Sequence, residues 1–269
     1  FTVIFTQFYK IATKKSTRHG TLTVLTQLTA GISVLLLCPL FEVKFPDNPR
    51  IYLVLGVAVV FYAISDRVNT TVRSGIEAST YNIIQQLSTV FMILAGLFFF
   101  KEPFLLSKIV SAGLIIFSNI LIFYKKGEGG LNKYVLLGIL SNLAYTVGLF
   151  LDVNISDLFN LPFYVSLTLL LPALFISAFE RIRFSWMKEE FLQGDKKAIL
   201  ITGLAWGAMI VTLLRAYQLG AVTSVAPLCA LTVILNVIVG YLFLSEKDNL
   251  LKKLVAAVLI VISVILIQQ

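Results

Sequence analysis

Residues 96–108 read GLFFFKEPFLLSK, and 144 positions later residues 240–252 read GYLFLSEKDNLLK. Gly96 and Gly240, Phe99 and Phe243, Glu102 and Glu246, Leu106 and Leu250, and Lys108 and Lys252 match at that one offset. Thr2-Val3 and Thr146-Val147 obey the same shift, as do Ala112 and Ala256. A period this long is not a solenoid unit; it marks a duplicated half-protein.

Composition identifies the medium. Hydrophobic residues make up 58% of the 269, charged residues 13%, and the mean hydropathy is +0.91. Apolar runs of about 20 residues, enough to cross a ~30 Å hydrocarbon core, follow one another with short breaks. They cover 20–41, 51–73, 76–100, 103–124, 133–151, 160–179, 197–219, 221–244 and 249–268. Residues 1–13 (FTVIFTQFYKIAT) are too short to span alone. Thr2 falls opposite Thr146, in the middle of the run 133–151, so the chain is expected to begin partway through its first helix. The remainder of a cleaved signal peptide is the alternative.

The expected fold is therefore all-α: a polytopic membrane protein of ten transmembrane helices in two five-helix repeats, the first helix truncated at its N-terminus. The repeats are residues 1–124 and 133–269, joined by the polar, glycine-dense linker 125–132. Five crossings is an odd number, so the halves must sit in opposite orientations. Inverted repeats are a common architecture of secondary transporters, with substrate held near the midplane. The longest polar interval, 181–196 (RIRFSWMKEEFLQGDK), suits one amphipathic interfacial helix.

Certain residues carry a family resemblance: Gly96, Lys101-Glu102-Pro103 and Gly113 in the first half, and Ala221, Pro227, Gly240 and Ser245-Glu246-Lys247 in the second. With two five-helix repeats, each ending in a helix, a Glu-containing turn and a last apolar helix, the chain resembles the drug/metabolite transporter superfamily, EamA type. The resemblance implies a transporter of amino acids or other metabolites, nucleotide sugars, phosphorylated sugars or drugs, without naming one. It also implies cytoplasmic termini. The charge pattern implies the reverse, because most of the 22 Lys and Arg flank the loops after the odd-numbered helices. The positive-inside rule places those loops in the cytoplasm. The net charge of +8 is explained by cations at helix ends facing anionic headgroups, and no basic patch suggests nucleic acid.

Polar groups are costly inside a bilayer and mark cavities or partners. In the third helix Tyr62, Asp66, Asn69 and Arg73 follow spacings of 4, 3 and 4, which puts them on one helical face. They line the central path, or else the helix ends near Ser65 and the remainder is a wet loop. In the fourth helix two stripes run side by side, Tyr81-Gln85-Ser88 and Asn82-Gln86-Thr89, as cavity lining or interhelical glue. Glu77 is a site residue pairing with Arg73, or a carboxylate complementing a helix N-terminus.

In the second half Trp206, Thr212, Arg215, Tyr217 and Gln218 share a helix; Arg215 is a site residue or snorkels to the headgroups. Pro227 interrupts the ninth helix near Thr223 and Ser224 at a cavity or helix contact, or else only kinks it so that helices cross, and Thr232 and Asn236 extend its polar side. Asn142, Tyr145 and Thr146 form the corresponding cluster in the sixth helix, with Asp152 expected at the interface. Thr23, Gln27, Ala30 and Ser33 read as close helix packing.

Enzyme classes find no support. The single histidine, His19, cannot build a metal cluster with other histidines or a Ser/His/Asp set. Cys38 and Cys229 lie in apolar helices and read as packing residues, and no GxxxxGK loop points to ATP. The expectation is a secondary-active transporter without cofactor, in a bacterial or archaeal cytoplasmic membrane. Substrate-binding candidates are Tyr62, Asp66, Asn69, Arg73, Gln85, Tyr145, Trp206 and Arg215. Asp66 and Glu77 are candidates for proton coupling. The partners are a small polar solute and lipid, with a homodimer admitted. Arg beside Asp suits an amino acid or similar zwitterion. A lipid-linked flippase and a sugar-phosphate, nucleotide-sugar or drug exporter are the alternatives.

Overall fold

The computed structural model describes residues 1–99, 105–123, 133–219, 222–246 and 248–267. Lys101, Glu102, Pro103, Ala221, Lys247 and the linker 125–132 lie outside the described residues, as do the side chains of Tyr217, Thr223, Ser224, Pro227 and Cys229. Every regular element described is helical. The helices are α1 (Thr2–Lys15), α2 (His19–Leu35), α3 (Pro49–Gly75), α4 (Ala78–Gln85), α5 (Leu87–Phe99), α6 (Leu106–Phe123) and α7 (Lys133–Ile155). They continue as α8 (Leu161–Phe179), α9 (Phe184–Gln193), α10 (Lys196–Leu219), α11 (Val222–Leu244) and α12 (Leu250–Ile267).

Among the described residues, five segments are long and apolar enough to cross a membrane: His19–Leu40, Pro49–Gly75, Lys133–Asp152, Leu161–Phe179 and Lys196–Ala216. Leu106–Ile122 and Thr232–Leu244 are shorter apolar helices. α9 occupies the polar interval expected to hold a short amphipathic helix, with Phe184 and Leu192 exposed beside Lys188 and Glu189.

Local chemistry sets the helix starts. Asn48 caps α3, its side chain accepting from Arg50 N at 3.0 Å with Pro49 at the first helical position. Asn160 caps α8 through Phe163 N at 3.0 Å, and Asp195 caps α10 through Ala198 N at 3.0 Å. α3 runs unbroken to Gly75, so Asp66, Asn69 and Arg73 are helical and not part of a wet loop. One expectation is corrected. The single helix expected over 76–100 is split at Gln86, where Gln86 N turns to Ile83 O at 3.1 Å, a tighter i−3 bond. Of the two readings of Pro227 the continuous helix holds: α11 passes through it without ending, because a proline removes one helical bond and can bend a helix without stopping it.

α3 packs along α7 and α1 along α10; α2 packs on α8, α4 on α11 and α6 on α12. The largest buried cluster joins Phe5 and Tyr9 of α1 to Tyr164 and Leu169 of α8 and to Trp206 and Leu214 of α10. Gly203 and Gly207 let α10 approach α2 closely: an added Cβ would lie 2.5 Å from Thr29 Cβ and 2.7 Å from Val34 Cγ2, respectively.

Polar ties gather at the end of the bundle where α9 lies. The Glu246 carboxylate accepts from Ala78 N at 2.6 Å and Ser79 N at 3.0 Å, satisfying donors left free at the start of α4. Glu77 pairs with Lys253, Arg67 with Glu180, and Lys15 with Asp195. At the opposite end the Asn160 amide donates to the carbonyls of Cys38, Phe41 and Glu42.

Candidate functional site

The polar face of α3 looks into a cavity of about 70 Å³ between α1, α3, α4, α7, α8 and α10. That is room for roughly five water molecules. Tyr62, Asp66, Asn69 and Arg73 all line it, joined by Gln85, Tyr145 and Trp206. The 4-3-4 spacing therefore marked one wall, and α4, α7 and α10 complete the enclosure.

Arg73 forms one pole. It is 2% exposed, and its guanidinium lies 3.8 Å from the ring centre of Tyr81 and 5.0 Å from those of Phe5 and Tyr9. Trp206 closes the aromatic box, its ring 5.3 Å from Phe5 and 6.1 Å from Tyr9. Aromatic faces attract a desolvated cation by about 2 kcal/mol but accept no strong hydrogen bond. Accordingly Nε and Nη1 of Arg73 are buried without an acceptor among the described residues. Below it, the Lys10 ammonium donates to the carbonyls of Arg73 at 2.6 Å and Ile76 at 2.5 Å, capping the C-terminus of α3.

The other pole is acidic. Asp66 lies seven residues before Arg73, about 10 Å along the helix axis. It accepts from Gln27 Nε2 at 2.8 Å, so Gln27 supports the site and does not serve only the packing of α2. Asp66 and Arg73 make no ion pair with each other. Further along, the Asp152 carboxylate takes Tyr62 OH at 2.6 Å and Tyr164 OH at 2.5 Å. Asp152 was expected at the interface; it is 3% exposed and lines the cavity, because α7 continues to Ile155 and turns this face toward α3. Asn69 accepts from Ser141 Oγ at 2.6 Å, fixing α3 to α7. The remaining walls are largely apolar, with Leu149, Met209, Ile210, Leu213 and Leu214 among them.

Two expected site residues lie elsewhere. Arg215 is exposed, in a cleft with Glu42, Lys44 and Asp157 at the opposite end, where Nη1 donates to Gln218 at 3.2 Å. Glu77 does not line the cavity and pairs with Lys253 rather than Arg73. Phe5, Tyr9, Asp152 and Thr168 were not among the site candidates, and Tyr81 was marked only as part of a stripe that lines a cavity or glues helices. One signal for Asp152 was present: Tyr145, Leu149 and Asp152 repeat the 4-3 spacing of α3. No group of three or more His, Cys, Asp and Glu that could hold a metal occurs among the described residues.

No family model matches the chain. Among curated proteins it is similar to one described as an uncharacterized transporter in the cobO 3' region of Sinorhizobium sp. The two are 40% identical over 67 residues, 24% of this chain and 48% of that protein. The chain thus spans about half the length of the curated relative it matches. The apolar helices, together with this similarity, identify an integral membrane protein.

Proposed function

We propose that the chain is a secondary-active transporter that moves a small polar metabolite bearing a carboxylate, an amino acid or similar zwitterion, by alternating access around the Arg73 pocket. The observation that carries this is the Arg73 guanidinium, buried in an aromatic box with Nε and Nη1 unmatched, facing a cavity that also holds Asp66, with which it forms no ion pair. A buried charge without a partner is costly unless a ligand supplies one. A molecule with a carboxylate and an ammonium on one carbon bridges a guanidinium and a carboxylate that do not touch each other. The transporter name of the similar protein agrees with this reading.

The architecture proposed is ten spans in two inverted repeats, 1–124 and 133–269, of the EamA type within the drug/metabolite transporter superfamily, in a bacterial or archaeal cytoplasmic membrane. A helix boundary supports it: shifted by 144, the start of α6 at 106 falls on that of α12 at 250. Packing supports it too, since the shift exchanges the α1–α10 pair with the α7–α3 pair. α2 ends near the start of α8, where Asn160 meets Cys38, so these equivalent helices run in opposite senses, as inversion requires. Asp66, which lines the pocket, is the proposed proton carrier. A pH-independent exchange rate removes that role.

The test is solute exchange in proteoliposomes loaded with a labelled pool of amino acids, sugar phosphates and nucleotides. Selective exchange of amino acids is the expected result. Exchange of sugar phosphates alone moves the assignment to another substrate class, and no exchange by folded protein overturns the transporter reading in favour of a lipid-linked flippase.

A further inference from the structure

The pocket holds three charged side chains in a fixed order along α3 and its neighbours: Arg73, then Asp66, then Asp152 beyond Tyr62. Asp66 lies about 10 Å along the axis from Arg73, and Tyr62, which holds Asp152, lies about 6 Å further on. No two of the three form an ion pair. Each carboxylate accepts hydrogen bonds from neutral donors: Gln27 at Asp66, and Tyr62 and Tyr164 at Asp152. With both ionised the site carries one positive and two negative charges. A simple zwitterion matches Arg73 and Asp66 and leaves Asp152 without a cationic partner.

We infer that the pocket selects a diamino carboxylic acid, with its carboxylate on Arg73, its α-ammonium on Asp66 and its terminal ammonium on Asp152. This rests on the transporter reading above and deepens it. Such a molecule presents the complementary order, with carboxylate and α-ammonium on one carbon and the second ammonium at the end of a methylene stem. The apolar walls suit that stem: Leu149 of α7 and Met209, Leu213 and Leu214 of α10 line the same cavity as the two acids. Tyr62 and Tyr164 each occupy one lone pair of Asp152, leaving acceptor capacity on both oxygens for an ammonium. A diamine lacking the carboxylate leaves Arg73 unmatched, and a dicarboxylate faces two acids. Charge order thus excludes the neighbouring solute classes, since leaving or creating an uncompensated buried charge is the dominant penalty.

Proteoliposomes loaded with labelled L-ornithine, challenged externally with L-ornithine, L-lysine, L-alanine or 1,5-diaminopentane, provide the test. Exchange against ornithine and lysine should exceed that against alanine about tenfold or more, the worth of one charge-assisted bond, with the diamine ineffective. A parallel set loaded with labelled L-alanine separates the two levels of the reading. Alanine exchanging as well as ornithine, or the diamine exchanging, overturns the diamino-acid selectivity while leaving a transporter. No exchange in either set overturns the transporter reading itself. Asp152→Asn should lower the ornithine-to-alanine ratio about tenfold; an unchanged ratio in folded variant overturns the role of Asp152. The wild-type panel decides the matter if the variant does not fold.

Discussion

The guanidinium of Arg73 lies 3.8 Å from the centre of the Tyr81 ring, across the junction where α3 ends and α4 begins. Two turns of different helices are thereby joined by a contact that satisfies the cation's charge in part and its hydrogen bonds hardly at all. Arg73→Gln should reduce solute exchange at least tenfold, the worth of one charge-assisted bond. Its thermal stability should hold or rise, because the variant removes a buried charge left without an acceptor. Exchange rate and melting temperature measured on the same sample decide it: retained exchange with lost stability makes Arg73 structural.

Glu246 fixes the other side of that junction. Its carboxylate takes the N–H groups of Ala78 and Ser79 at the positive end of α4. Glu246→Ala should cost about 2–3 kcal/mol, the loss of charge-assisted bonds to buried donors. A melting-temperature series in detergent, with Glu246→Gln intermediate, checks the order.

The ion pair between Glu77 and Lys253 is asymmetric, the lysine side chain being 3% exposed and the glutamate 27%. Glu77→Gln should therefore destabilise by about 3 kcal/mol through the stranded ammonium. Lys253→Met in the same chain should restore most of it, a coupling read from a double-mutant cycle. A proton-coupling role for Glu77 instead predicts that the variant flattens the pH dependence of exchange and leaves stability alone.

Gly148 is where α7 passes the ring that holds Asp152. A Cβ there would lie 2.9 Å from two atoms of the Tyr62 ring, so the ring and its hydroxyl must shift. Gly148→Ala should lower exchange several-fold and destabilise by about 1–3 kcal/mol, the cost of overpacking. Gly113→Ala is the control: nothing lies within 4 Å of its added Cβ, and helix propensity favours alanine by about 1 kcal/mol.

Asp195, outside the spanning segments, is held below its ordinary carboxylate range by the Ala198 N–H and then by the Lys15 ammonium. Its contribution is present above about pH 4, the unfolded value, and is lost as pH falls through the lower folded one. Asp195→Ala should cost about 1 kcal/mol at pH 7, the worth of a helix cap, and that difference should be smaller at pH 3. Equal melting-temperature differences at both values refute the assignment.

Much of this was legible in the residues. Runs of apolar residues bounded by Asn48-Pro49, Gly75, Asn160 and Asp195 locate the helices, because a chain that cannot hydrate its backbone must bond it internally. Spacings of 4, 3 and 4 placed Tyr62, Asp66, Asn69 and Arg73 on one wall before any partner was known. The break at Gln86 was not legible, because Gln85, Gln86 and Leu87 all tolerate a helix and the split comes from a local i−3 bond.

What the sequence determined by itself is where the apolar helical runs lie and the face on which their polar residues gather, since both follow from periodicity along one chain. Which faces meet was decided only by tertiary structure. Arg73 and Arg215 look alike as membrane arginines, yet one is boxed by rings from α1 and α4 and the other sits in a cleft at the far end. Asp152 looked like a helix-end carboxylate until Tyr62 and Tyr164, 90 and 12 residues away in sequence, closed on it. The physical reason is that periodicity gives a residue's angle about its own helix axis. The angle between helices, and so the partner each face receives, is set by long-range packing at close approaches such as Gly203 and Gly207 against α2.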